Sequence, residues 1–120
     1  MFINFTNHPS AQWSDAQKDA ALIYGEIADI PFPSVPAYAP SEDLDALAED
    51  CVARILEANP AVVMCQGEFT LAFSVASKLK ARGVKVIAAC SDRKTVEIME
   101  NGATRKTVVF EFGQFREYSS

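Results

Sequence analysis

The chain has 120 residues, 49% of them hydrophobic and 22% charged, with a formal net charge of −5. These values fit one folded domain over residues 1–120 and exclude a disordered chain, a collagen-like repeat and a disulfide scaffold. The charge is uneven, with ten acids against two bases in residues 1–60 and six acids against nine bases in residues 61–120. An acidic chain makes a poor coat for duplex nucleic acid, and an anionic ligand is expected to lean on the second half.

Met1 is followed by Phe-Ile-Asn-Phe, without the basic run and small-residue cleavage site of a signal peptide. No stretch approaches the ~18 apolar residues of a membrane span. Cys51, Cys65 and Cys90 are odd in number and lack CxxC spacing, which predicts reduced thiols, no zinc site and a cytoplasmic location. One histidine leaves no His-based metal cluster, and neither metal nor cofactor is expected.

The first predicted element is a strand over Phe2–Thr6, rich in aromatic and β-branched residues. Asn7-His8-Pro9-Ser10 breaks it, since Pro9 cannot donate to a ladder. Ser14 and Gln17 form a capping box that opens a helix to about Tyr24, stopped by Gly25. A second strand over Glu26–Phe32 ends at Pro31 and Pro33. The proline-rich stretch 31–40 reads as a rigid surface connection. Ser41 caps the next helix, whose apolar stripe of Leu44, Leu47, Ala48, Cys51, Val52 and Ile55 suits packing on a sheet; Asn59-Pro60 stops it. Ala61–Cys65 is an uninterrupted apolar run, as in a central strand covered on both faces. Gln66-Gly67-Glu68 turns into a helix over Phe69–Arg82, closed by Gly83. Val84–Cys90 is the fourth strand. Lys94–Met99 and Arg105–Phe112 alternate with period two around Asn101-Gly102, a hairpin signal. This order predicts an α/β fold: a Rossmann-like open sheet, mainly parallel and three-layered, with a C-terminal β-hairpin.

In such a sheet ligands bind outside the carboxyl ends of the strands where the strand order reverses, and the simplest order puts the first and third strands side by side there. Three loops then converge: Thr6-Asn7-His8-Pro9-Ser10, Gln66-Gly67-Glu68-Phe69-Thr70 and Cys90-Ser91-Asp92-Arg93-Lys94. Gly67 would let backbone N–H groups approach a ligand at a helix N-terminus, and the competing reading is a tight turn with Glu68 capping the helix. The spacing is neither GxGxxG nor a Walker loop. His8 titrates near neutrality and is a candidate general acid or base, or only a hydrogen-bonding group. Arg93 and Lys94 are the only bases in the three loops and the natural phosphate ligands, unless they are merely solvated. Cys65 and Cys90 end adjacent strands and read as inert small hydrophobes rather than nucleophiles. Trp13, with Phe5 and Tyr24, reads as core packing. The candidate binding set is therefore Thr6, Asn7, Ser10, Gln66, Gly67, Glu68, Thr70, Ser91 and Lys94, with His8 and Arg93 as the candidate catalytic pair. A site this shallow is expected to be completed by a homodimer, with its two-fold axis near the pocket or through the exposed C-terminal strands.

Asn4-Phe5-Thr6-Asn7-His8-Pro9-Ser10, Asp29-Ile30-Pro31-Phe32-Pro33, Gln66-Gly67-Glu68-Phe69-Thr70 and Phe115-Arg116-Glu117-Tyr118 together resemble the small single-domain CRISPR-associated proteins grouped with the CARF-like ring nucleases. That resemblance implies a dimer that binds cyclic oligoadenylate and cleaves it without metal, by attack of a ribose 2′-hydroxyl on the neighbouring phosphate. His8 would then supply the proton and Arg93 the charge stabilisation. The first loop departs from the better-known CARF pattern in offering no Lys or Arg. Two other classes fit the residues alone: a non-enzymatic binding module for a mononucleotide or small anion, and a structural protein whose hairpin pairs with a partner.

Overall fold

The computed structural model describes residues 1–119. In chain order the elements are β1 (Phe2–Phe5), a 3₁₀ turn (Ser10–Gln12), α1 (Asp15–Leu22), β2 (Ile27–Asp29), α2 (Ser41–Glu57), β3 (Val62–Cys65), α3 (Phe69–Ala81), β4 (Lys85–Glu100) and β5 (Ala103–Glu117). They build one mixed sheet in the order β2-β1-β3-β4-β5. The first four strands run parallel, and β5 lies antiparallel to β4 at the edge. The chain goes from β1 to β2 in one direction and from β3 to β4 in the other, so the order reverses between β1 and β3, the adjacent pair that the sequence suggested.

Alternation along the strands sends their side chains into two apolar clusters. Ile3, Phe5, Val63, Cys65 and Val86 meet Cys51, Val52 and Ile55 of α2, Leu71, Val75 and Leu79 of α3, and Phe32. Phe2, Val62, Met64 and Ile87 meet Trp13, Ala21 and Phe115. Trp13 thus packs on Phe2, ring centroids 5.8 Å apart, rather than on the expected Phe5, which lies against Phe32 on the other face. Lys78 of α3 reaches Asp45 at 2.9 Å and Glu49 at 2.8 Å, tying α3 to α2.

Several element ends differ from the sequence reading. Ser14 does cap α1, accepting from the Gln17 backbone N–H at 3.3 Å, but the Gln17 side chain does not reach back; its amide lies 4.0 Å from Met64 Sδ. α2 begins one residue early, because the Pro40 carbonyl already accepts from the Asp43 and Leu44 N–H groups; Ser41 is the first helical residue and not the cap. β2 is short, since Pro31 and Pro33 cannot donate to a ladder. The main departure is at 90–94. No proline or glycine interrupts that stretch, so the expected loop is strand: β4 runs unbroken through the body of the sheet and 10 residues beyond the bulge at Cys90/Ser91. β5 returns along its whole length, with Gly113 as the extra residue opposite that bulge. The two strands leave the sheet as a two-stranded arm, Ser91–Glu100 and Ala103–Phe112. The radius of gyration is accordingly 16.9 Å, against ~14 Å for a compact domain of this length. Among the described residues no helix is long and apolar enough to cross a membrane.

Candidate functional site

The first loop is built around a buried amide. Asn4 lies on the central strand with 1% of its surface exposed, where an unpaired polar group would be costly. Its Nδ2 donates to the His8 carbonyl at 2.8 Å and to Asp29 Oδ1 at 3.1 Å, and its Oδ1 accepts from the Thr6 hydroxyl at 2.7 Å. The other Asp29 oxygen accepts from the Ser10 N–H, and the indole N–H of Trp13 also donates to the His8 carbonyl, at 3.2 Å. Thr6, Asp29 and Trp13 therefore fix the loop backbone and turn the His8 side chain outward.

The second loop has a different origin. A Cβ on Gly67 would stand 2.6 Å from Cδ1 and Cε1 of the buried Phe32 ring, so it is this aromatic contact that requires glycine there. Glu68 is the N-cap of α3, accepting from the Leu71 N–H at 2.8 Å and the Thr70 N–H at 3.0 Å, with the Thr70 hydroxyl on the same carboxylate. These bonds hold the Glu68 carboxyl below its ordinary pKa, the Leu71 bond contributing most. Gln66 accepts from the Ala89 N–H through Oε1 at 2.8 Å, which pins its side chain against β4 just before the bulge.

Beyond the carboxyl ends of β1 and β3, beside the Ala89–Ser91 stretch of β4, lies a cavity of about 500 Å³. Thr6, Asn7, His8, Gln66, Gly67 and Ser91 all line it, so six of the sequence-derived positions converge. Ser10 is held in the 3₁₀ turn on Asp29, and Glu68 and Thr70 are engaged with each other at the α3 cap; none of these three lines the cavity. Arg93 and Lys94 lie in β4, beyond the lining. Lys94 reaches Glu111 at 2.6 Å, and that carboxylate raises its pKa. Sequence reasoning missed Gln12, Trp13, Gln17, Met64, Ala89 and Phe110, which complete the wall. The two glutamines follow Pro9 and Ser14 at turn spacing, a usable signal; Phe110 was hidden because the arm's direction follows from β4 continuity alone.

Cys65 Sγ lies against the Ala72 carbonyl in the opposite cluster, where burial first and the neighbouring Cys51 second push its thiol up to about 12. Tyr118 donates to the Cys65 carbonyl at 2.7 Å and locks the end of the chain beside β3. A broader apolar groove of about 1140 Å³ runs along Phe69, Phe73 and Ala76 of α3 to Tyr118. It shares no lining residue with the cavity at the strand-end loops. Among the described residues no group of three or more His, Cys, Asp and Glu side chains gathers in a geometry to hold a metal.

The model of the family described as "Uncharacterized protein MJ1673 family" matches residues 1–116. The chain belongs to that family. The matched stretch includes every residue of the MJ1673-family cavity described above and the whole arm. No curated protein and no solved structure matches the chain.

Proposed function

We propose that this chain is a Rossmann-like, three-layer nucleotide-binding module whose ligand enters the cavity at the ends of β1 and β3, beside the middle of β4. Cyclic oligoadenylate, the ligand implied by the likeness to CARF-like proteins, is the compound to test first. The observation that carries the reading is the chemistry of the lining: side-chain amides from Asn7, Gln12 and Gln17, the NH2 group of Gln66, an exposed Phe110 ring, and no lysine or arginine among the described residues. An amide side chain offers a donor and an acceptor together, the pattern that the edge of adenine matches, and an aromatic ring gives a base a face to stack on. The volume falls within the range of small-molecule sites. Phosphates would then remain at the mouth while base and ribose fill the cavity. With His8 as the only titratable side chain in the wall and no cation there to take up phosphate charge, the reading favoured is a receptor over a hydrolase.

Trp13, the only tryptophan, lines the same cavity and reports on it directly. Its emission should change on titration with cyclic tetra- or hexa-adenylate, and Gln12→Ala and His8→Ala should weaken binding about tenfold or more without moving the thermal midpoint. Chromatography of the ligand after incubation separates receptor from hydrolase. A response to inorganic phosphate equal to that with nucleotides would mean a small-anion module. No emission change and no thermal shift with any nucleotide at millimolar concentration would overturn the proposal.

A further inference from the structure

The arm is a structural problem as it stands, because an isolated two-stranded ribbon is marginal in water. This one displays six large apolar side chains: Val96, Ile98, Met99, Val108, Val109 and Phe110. Its two faces differ in kind. Cross-strand partners share a face, and Lys94, Glu111, Glu100 and Arg105 stand on the face with Val109. There four of the five charges pair within the arm, Lys94 with Glu111 and Arg105 with Glu100, and only Asp92 joins no ion pair among the described residues. The other face continues the core: from Phe115, which packs on Phe2, an apolar line runs through Phe112 and Phe110 to Val108 and Met99. Its three charged residues, Arg93, Glu97 and Lys106, join no ion pair among the described residues.

We propose that this Val108 face is the dimer interface of the protein, with the arms of two copies packed face to face and antiparallel. The charge pattern is self-complementary in one register. A two-fold axis across the ribbon at the paired residues Thr95 and Val108 sets Arg93 over the partner subunit's Glu97 and the Phe110 ring over the partner subunit's Lys106, each contact occurring twice. Ten residues a strand give a ribbon about 33 Å long and about 10 Å wide, or roughly 300 Å² of footprint per copy. Two arms therefore make an interface smaller than the ~1,000 Å² of a large stable one, and antiparallel packing adds to it where each tip reaches the base of its partner's arm. In that register Met99, 75% exposed, lands over the partner subunit's Ser91, at the rim of the cavity that Phe110 also lines. Each copy thus closes the other's site.

Val108 and Val109 make a matched test, being adjacent, 42% and 41% exposed, and on opposite faces. Sedimentation at micromolar concentration should give a mass of twice 13.1 kDa for the wild type, without any ligand. Val108→Glu should raise the dimer dissociation constant about tenfold or more, while Val109→Glu leaves it within about twofold, with circular dichroism reporting the fold of both. Glu97→Arg should weaken the dimer, and the double variant with Arg93→Glu should restore it. A monomeric wild type, equal losses from the two valine variants, or no restoration by the second reversal would each overturn the interface.

Discussion

Replacing Gly67 by alanine separates a glycine kept for a ligand from one kept for the core. The added Cβ would stand 2.6 Å from two carbons of the Phe32 ring, whereas carbon atoms rest at ~3.5–4.0 Å. The ring must therefore withdraw by about 1 Å, and it has little room to do so, since its other side meets Phe5 at a centroid distance of 5.0 Å and both rings are buried. Overpacking of this kind costs ~1–3 kcal/mol. With an unfolding entropy of ~2.1 cal/mol/K per residue, or about 0.25 kcal/mol/K for this chain, the midpoint should fall by ~4–12 °C. Thermal unfolding followed by far-ultraviolet circular dichroism measures this directly. Phe32→Leu removes the colliding ring edge, so the double variant should be more stable than the sum of the two single losses by about 1 kcal/mol. A Gly67→Ala midpoint within a degree or so of the wild type would refute the packing argument and return Gly67 to the ligand.

Asn4→Ala removes the hydrogen bonds to Thr6, Asp29 and the His8 carbonyl and empties a buried site, so urea unfolding should show a loss of ~2–4 kcal/mol, while Asp29→Ala, at an exposed carboxylate, should cost less. Glu68 has its pKa lowered in the fold, so its cap bonds add stability above about pH 4.5 and lose it as pH falls through the depressed value. The acid limb of the urea midpoint measured against pH should therefore flatten in Glu68→Gln, and an unchanged limb would count against the cap. Cys65, with its thiol pushed up to about 12, and the buried Cys51 should resist a disulfide reagent in the native protein while Cys90 reacts; all three should react in denaturant. Modification of Cys65 at the same rate as Cys90 would be the contrary result.

Much of the cavity was legible because it rests on local rules. The aromatic and β-branched run at 2–6 and the apolar run at 61–65 mark two strands of a parallel sheet, the simplest order sets them side by side, and the reversal of strand order between them brings Thr6–His8 to Gln66 and Gly67. Other features depend on partners distant in sequence. That Gly67 serves Phe32, 35 positions away, has no local trace. Nor does any local pattern show that Asn4 donates to Asp29, 25 positions away, or that the other Asp29 oxygen takes the Ser10 N–H. The arm was mistaken for a loop followed by a separate hairpin because Ser91, Asp92 and Arg93 are weak strand formers. Their conformation is imposed by β5 pairing opposite them, with the bulge at Gly113 absorbing the mismatch. Arg93 and Lys94 moved out of the cavity wall for that same reason.

The position of β1 has a consequence for how the chain assembles. Its four residues, Phe2–Phe5, are buried and hydrogen-bonded on both sides, to Ile27–Asp29 and to Val62–Cys65. During synthesis β1 emerges before either of its partners, and the second follows some 60 residues later, so the centre of the sheet cannot close until β3 is out. β4 and β5, by contrast, zip outward from Asn101–Gly102 through contacts close in sequence. The hairpin is thus the fast local event, and the capture of β1 between β2 and β3 the slow one that completes both the core and the cavity.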